Sequence, residues 1–134
     1  MSIESFDDLL RAATAQSEPQ RLLFVFATAG VDADATAEQK TRFESGQGGT
    51  LTPRMCVDKL PGELASFGTL LEESKQFGQA WDMVFVAALP GSGGASPTSQ
   101  QAEAPLQRMV DSIKSGRIGG FVPFDVQGRP VQFG

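Results

Sequence analysis

Residues 21–28 read RLLFVFAT, and residues 83–89 read MVFVAAL. Each is a short, continuously apolar run bounded by breakers, Ser17-Glu18-Pro19 before the first and Pro90-Gly91 after the second. Runs of this length without helical periodicity suit strands buried on both faces of a sheet covered by helices. The second run is the candidate central strand. Around these two runs the other elements fall into place.

Upstream, Ser5 is placed to cap a helix whose first turn carries Asp7 and Asp8, where the helix dipole favours negative charge. Phe6, Leu9, Leu10 and Ala13 supply its apolar stripe. Between the runs, Thr36 and Gln39 form a capping pattern for a short surface helix, followed by a flexible link at residues 46–49. Residues 51–57 (LTPRMCV) read as a strand, with Pro53 placing it at an edge or giving it an irregular start. Pro61 opens a further predicted helix bearing Leu64, Phe67, Leu70 and Leu71 and ending at Gly78. After residues 90–97 (PGSGGASP), a last helical stripe runs through Ala102, Leu106, Met109, Val110 and Ile113 to Gly116. Pro105 lies inside that stripe, so its helix either begins near Ala104, the preferred reading, or starts at Ser99 and kinks. The tail, residues 118–133, predicts a β-hairpin around Gln127-Gly128, with Pro123 and Pro130 near a sheet edge.

The expected fold is therefore a single α/β domain over residues 1–134. It has a mixed sheet of four or five strands, helices on its faces and a C-terminal hairpin. Alternation of strands and helices predicts parallel pairing through right-handed crossovers.

Composition narrows the chemistry. The 134 residues contain no histidine, no tyrosine and one cysteine, Cys56. That removes Ser-His-Asp triads, Cys-His pairs, histidine-ligated zinc and Cys-x-x-Cys redox couples. No metal site and no cofactor is expected. The net charge is -5, and the eleven basic residues are scattered, which argues against nucleic-acid and anionic membrane surfaces. The N-terminal stretch is acidic where a signal peptide would be basic, and no apolar run approaches the ~20 residues of a membrane helix. A lone thiol fits a reducing compartment, so the expected location is the cytoplasm.

Three features could carry function. Gly91, Ser92, Gly93, Gly94, Ser96 and Thr98 lie between the carboxyl end of a strand and a helix N-terminus, where phosphates and carboxylates bind in α/β sheets. The stretch is not a G-x-G-x-x-G fingerprint, since Ser96 stands at the third glycine position, and a mobile surface connection is its plainer reading. Cys56 is a candidate reactive thiol, with Arg54 and Lys59 nearby in sequence, and a buried core residue is its plainer reading. Asp58 and Asp82 form an acid–base pair only if their strands run antiparallel. Asp125, Gln127 and Arg129 read as turn chemistry, and Trp81 as a core flank or interface anchor.

The segments LLFVFA, MCVDKLPGEL, WDMVFVAAL, EAPLQRMV and FVPFDVQGRPV together resemble a family of short bacterial proteins of unassigned function. Some members of that family are catalogued as a ribonucleotide reductase alpha subunit. The label implies radical chemistry on nucleotides in a large barrel, using a thiyl-forming cysteine, a redox pair and shuttle cysteines. Cys56 does not supply that set, and 134 residues do not enclose that barrel. The resemblance therefore brings no functional residues with it. The order of the first helix, LLFVFA and the final strand–turn–strand is also similar to thioredoxin-like domains. Ala27-Thr28-Ala29-Gly30 stands where their Cys-x-x-Cys would be, which excludes dithiol chemistry. The sequence thus points to a non-catalytic module that binds a protein partner or itself, a homodimer through the tail strand (Phe121, Phe124, Phe133) being one form. The alternative is a phosphate- or nucleotide-binding domain or enzyme using residues 91–96.

Overall fold

The computed structural model describes residues 5–16, 18–30, 50–64, 66–78 and 80–131. In chain order these form α1 (Phe6–Thr14), β1 (Gln20–Gly30), β2 (Thr50–Lys59), a 3-10 turn (Pro61–Glu63), α2 (Phe67–Lys75), β3 (Met83–Pro90), α3 (Ser99–Lys114) and β4 (Val122–Asp125). The helix expected from Thr36 and the link at 46–49 lie outside the described residues.

The four strands lie in the order β2-β1-β3-β4, and every neighbouring pair is antiparallel. The α/β class, the helix-covered sheet and the terminal hairpin stand as expected. The parallel pairing does not. β2 and β3, joined through α2, do run in the same direction, as strands linked by a helical crossover should. They are not neighbours, however, because β1 is inserted between them and opposes both. After α3, the connection 115–121 brings the chain back so that β4 opposes β3 as well.

Strand alternation sorts the core into two layers. Leu22, Phe24 and Phe26 of β1 and Val84 and Val86 of β3 face Phe6, Leu9 and Leu10 of α1, Leu70 of α2 and Phe124 of β4. Leu23, Val25 and Ala27, with Met83 and Phe85, face Ala102, Leu106, Met109 and Ile113 of α3. β1 and β3 are thus the two central strands, which explains why both read as unbroken apolar runs. Phe24 and Phe85 are fully buried, and each such ring stabilises the fold by about 1.5–3 kcal/mol relative to exposure. The α1 layer is aromatic: Phe6 meets Phe67 and Phe124 edge-on at centroid distances of 5.3 and 5.4 Å. Trp81 packs edge-on against Phe26 at 5.0 Å.

Local chemistry explains the element ends. The Ser5 hydroxyl accepts the Asp8 amide at 3.2 Å, the expected cap of α1. The helix expected from Pro61 is broken. Pro61–Glu63 makes only a 3-10 turn, Leu64 is extended (φ -119°, ψ 122°) with its side chain buried, and α2 starts after Ser66. α3 begins at Ser99 rather than near Ala104. A reciprocal Thr98–Gln101 capping box and the complete burial of Ala102 outweigh the hydrogen bond that Pro105 removes. The tail turns at Gly128 (φ 79°), and Asp125 and Val131 donate to Arg129 and Pro123 carbonyls at 2.9 and 3.0 Å. Pro53 sits where β2 bulges against β1, on an edge strand as its ring requires.

Candidate functional site

The loop after β3 is an ordered turn. Ser92 and Ala95 exchange backbone hydrogen bonds of 3.1 and 3.0 Å around Gly93 and Gly94, both at positive φ (60° and 81°). Two consecutive positive φ values define the tight turn that only glycine and a few polar residues adopt readily. The Gly91 amide donates to the Pro19 carbonyl at 2.8 Å, extending the β1–β3 ladder. No side chain fits at Gly91, since a Cβ would lie 2.0 Å from the Ala95 carbonyl oxygen. The Gly94 amide donates to a carboxylate oxygen of Glu18 at 3.0 Å. Of the predicted anion cradle, the amides of Gly91, Ser92, Gly94, Ala95 and Thr98 thus have partners inside the protein.

The start of α3 is likewise served by the protein's own charge. Asp58, at the end of β2, accepts from the Ser99 hydroxyl at 2.6 Å and from Arg21 at 2.5 Å. Arg21 also donates to the Pro97 carbonyl at 2.7 Å. A carboxylate beside the first residue of a helix complements the dipole, much as a bound anion would. Beside the loop lies a cleft of about 290 Å³ whose walls include Ser92, Ser96 and Gln101.

Cys56 is exposed, not buried in the core. It lies on β2, an edge strand of the sheet. Burial of part of the thiol, and then the nearby Asp58 carboxylate, pushes its pKa up. Neither expected cation counters this: Arg54 donates to the Thr28 hydroxyl at 3.1 Å, and Lys59 pairs with Glu73 at 3.1 Å. A thiol held protonated lacks the thiolate that nucleophilic or redox work requires. Cys56 and Lys59 line a groove of about 440 Å³ between β2 and α2, which also touches Phe77, a ring 53% exposed.

The remaining candidates are held apart or have structural partners. Asp58 ends β2 while Asp82 precedes β3, and these strands run the same way on either side of β1, so the two carboxylates lie at opposite ends of the sheet. Asp125 accepts the Gln127 and Arg129 amides at 2.8 and 3.0 Å, as turn chemistry predicts. Trp81 flanks the core and donates to the buried Ser74 hydroxyl at 3.0 Å. Phe124 is buried and Phe121 packs beneath α3, while Phe133 lies outside the described residues. Among the described residues no cluster of Cys, Asp and Glu could hold a metal ion, and no helix is long and apolar enough to cross a membrane.

Sequence reasoning missed Glu18 and Arg21. Glu18 reads as part of a breaker and Arg21 as a strand boundary; only the 76-residue separation closed by the Glu18–Gly94 bond gives the first its role. No family model, no curated protein and no solved structure matches the chain.

Proposed function

We propose that this protein is a non-catalytic cytoplasmic binding module that acts through a protein partner or a second copy of itself. One observation carries the reading: the protein's own carboxylates, Glu18 and Asp58, hold donors where the loop and the start of α3 would otherwise meet an anion. An anionic metabolite arriving there faces two like charges. The protonated state favoured for Cys56 supports the same reading. Nucleic acid and membranes are excluded from the proposal by the -5 charge and the scattered basic residues. The resemblance to the short bacterial family forms part of the proposal and contributes no catalytic residue. Ribonucleotide reduction is not proposed, because the chain has one thiol.

Light scattering over a range of concentrations tests self-association, and a strict monomer removes it. Affinity capture followed by reconstitution from purified components tests the partner. Failure of both overturns the module reading.

The cleft beside Ser92, Ser96 and Gln101 supports a second reading, a small anionic ligand at residues 91–96. Thermal-shift measurements with nucleotides and phosphorylated metabolites test it, because a ligand of the native state raises Tm. No shift with any of them removes it.

A further inference from the structure

Hydrogen-bond parity fixes which way each residue of β3 presents its backbone. Gly91 donates to Pro19 in the β1 row, so the odd residues of β3 serve β1. Asp125 and Pro123 bond outward to the hairpin return, so Phe124 and Val122 serve Val84 and Val86, the even residues. β4 pairing ends at Val86↔Val122. One step further along, Ala88 directs its N–H and C=O into the β4 row, where neither has a partner among the described residues. Ala88 is exposed, in contrast to the buried first half of the same strand. The segment that would continue β4 alongside it turns away, with Phe121 donating to the Ile118 carbonyl at 3.2 Å. No atom of the described residues lies within 4 Å of a Cβ built at Gly119 or Gly120.

Two apolar clefts flank this open edge, one on each face of the sheet. Toward α1 lies a cleft of about 400 Å³ lined by Leu9, Ala12, Ala13, Ala88 and Val122. Gln20 closes one end; its Nε2 donates to the Glu18 carbonyl, and its Oε1 has no partner among the described residues. Toward α3 lies a cleft of about 240 Å³ lined by Leu23, Leu89, Pro105, Arg108 and Phe121. A strand alternates its side chains between the two faces of a sheet, so paired clefts across an open edge match an added strand better than a compact small molecule.

We propose that the β3 edge at Ala88 is a strand-addition site for an extended segment of a partner protein, with an apolar side chain toward α1 and a carboxylate toward α3. This rests on the binding-module reading and gives it a location. In an antiparallel pair, directly opposed residues share a face. The partner residue opposite Ala88 therefore enters the α1 cleft, and its neighbours opposite Ala87 and Leu89 lie toward α3. The carboxylate follows from charge. Among the described residues neither cleft is lined by an acidic side chain, and Arg108 has no carboxylate partner. A second copy is disfavoured, because symmetric pairing about Ala88 would bring Arg108 toward its own copy. Pro90, without an N–H, ends the open stretch and limits the added strand to a few residues.

The test uses the full chain and fluorescein-labelled synthetic peptides in which valine alternates with threonine. One series carries glutamate on the α3-facing side and a matched series carries lysine. The glutamate series is expected to bind more tightly by roughly two- to five-fold, the range of an exposed ion pair. Arg108→Glu should reverse that order. Ala88→Pro removes the open donor and breaks no bond to β1, because Ala88 does not serve β1, and should weaken both series about tenfold. Peptide should also slow hydrogen exchange of the Ala88 amide in the unmodified protein, a readout independent of how the proline variant folds. Absence of binding by either series, equal binding to a folded Ala88→Pro variant, or protection confined to another edge overturns the proposal. A reconstituted partner that ignores Ala88→Pro removes this edge and leaves the module reading intact. Absence of any partner and of self-association removes the reading itself.

Discussion

Gly128, in the tail turn, lies directly against the Phe67 ring at the start of α2: a Cβ at Gly128 would sit 3.0 Å from Phe67 Cγ and Cδ2. The Gly128 carbonyl also accepts the Phe6 amide at 3.1 Å, so one turn fastens the starts of α1 and α2. Gly128→Ala therefore combines strain at φ 79° with a steric clash. It should cost roughly 2–4 kcal/mol, read as a lower Tm in calorimetry. Gly119→Ala, with open space and no positive φ, is the control and should change stability by less than about 0.5 kcal/mol.

Trp81→Phe keeps the edge-on contact with Phe26 but removes the donor to Ser74, whose side chain is buried. Loss of about 1–3 kcal/mol is expected from urea unfolding, the cost of a buried group left with one fewer partner. A loss as small as that of a surface substitution would contradict the structural role assigned to this bond.

Arg21→Ala leaves Asp58 without its cation and the Pro97 carbonyl without its guanidinium donor. The two side chains are 12% and 20% exposed, so solvent screens part of the interaction and the expected cost is about 1–3 kcal/mol. Amide exchange should show the loosening concentrated at the first turn of α3.

Cys56 should react with maleimide in the native protein, because it is exposed, but slowly at neutral pH, because its pKa is raised and the thiolate fraction is small. The rate should climb with pH beyond the range of an ordinary thiol. Asp58→Asn should speed labelling only in part, since burial is the larger cause of the shift. The linkage has a definite sign: a folded-state pKa above the unfolded one stabilises the protein below the unfolded pKa, and that stability is lost as pH rises through the folded pKa. Cys56→Ser should flatten that alkaline slope in unfolding measurements.

Glu18→Ala releases the Gly94 amide. If Glu18 fills an anion position, sulfate should raise the Tm of the variant and not that of the unmodified protein. Equal responses would show that the loop owes nothing to Glu18.

Several elements were legible because their causes are local. Both central strands, the Ser5 cap and the tail turn follow from apolar runs, a side-chain oxygen and a glycine near one another in sequence. The start of α3 was misread because Pro105 is a strong local signal. Burial of Ala102 against the sheet, which overrides it, is not visible along the chain. The helix expected from Pro61 failed for a related reason: the buried site of Leu64 requires an extended backbone.

By itself, then, the sequence determined the class of the fold, its single thiol and the absence of histidine-based chemistry. These depend on which residues are present and on their near neighbours. Tertiary structure alone decided that β1 would lie between β2 and β3, because an alternation of strands and helices is compatible with several strand orders. From that order followed the exposure of Cys56 on an edge and the distance between Asp58 and Asp82. It also determined that Glu18 and Asp58 would reach the donors around residues 91–99. Such pairings close long stretches of chain and depend on which strands become neighbours, a matter on which the spacing of residues is silent.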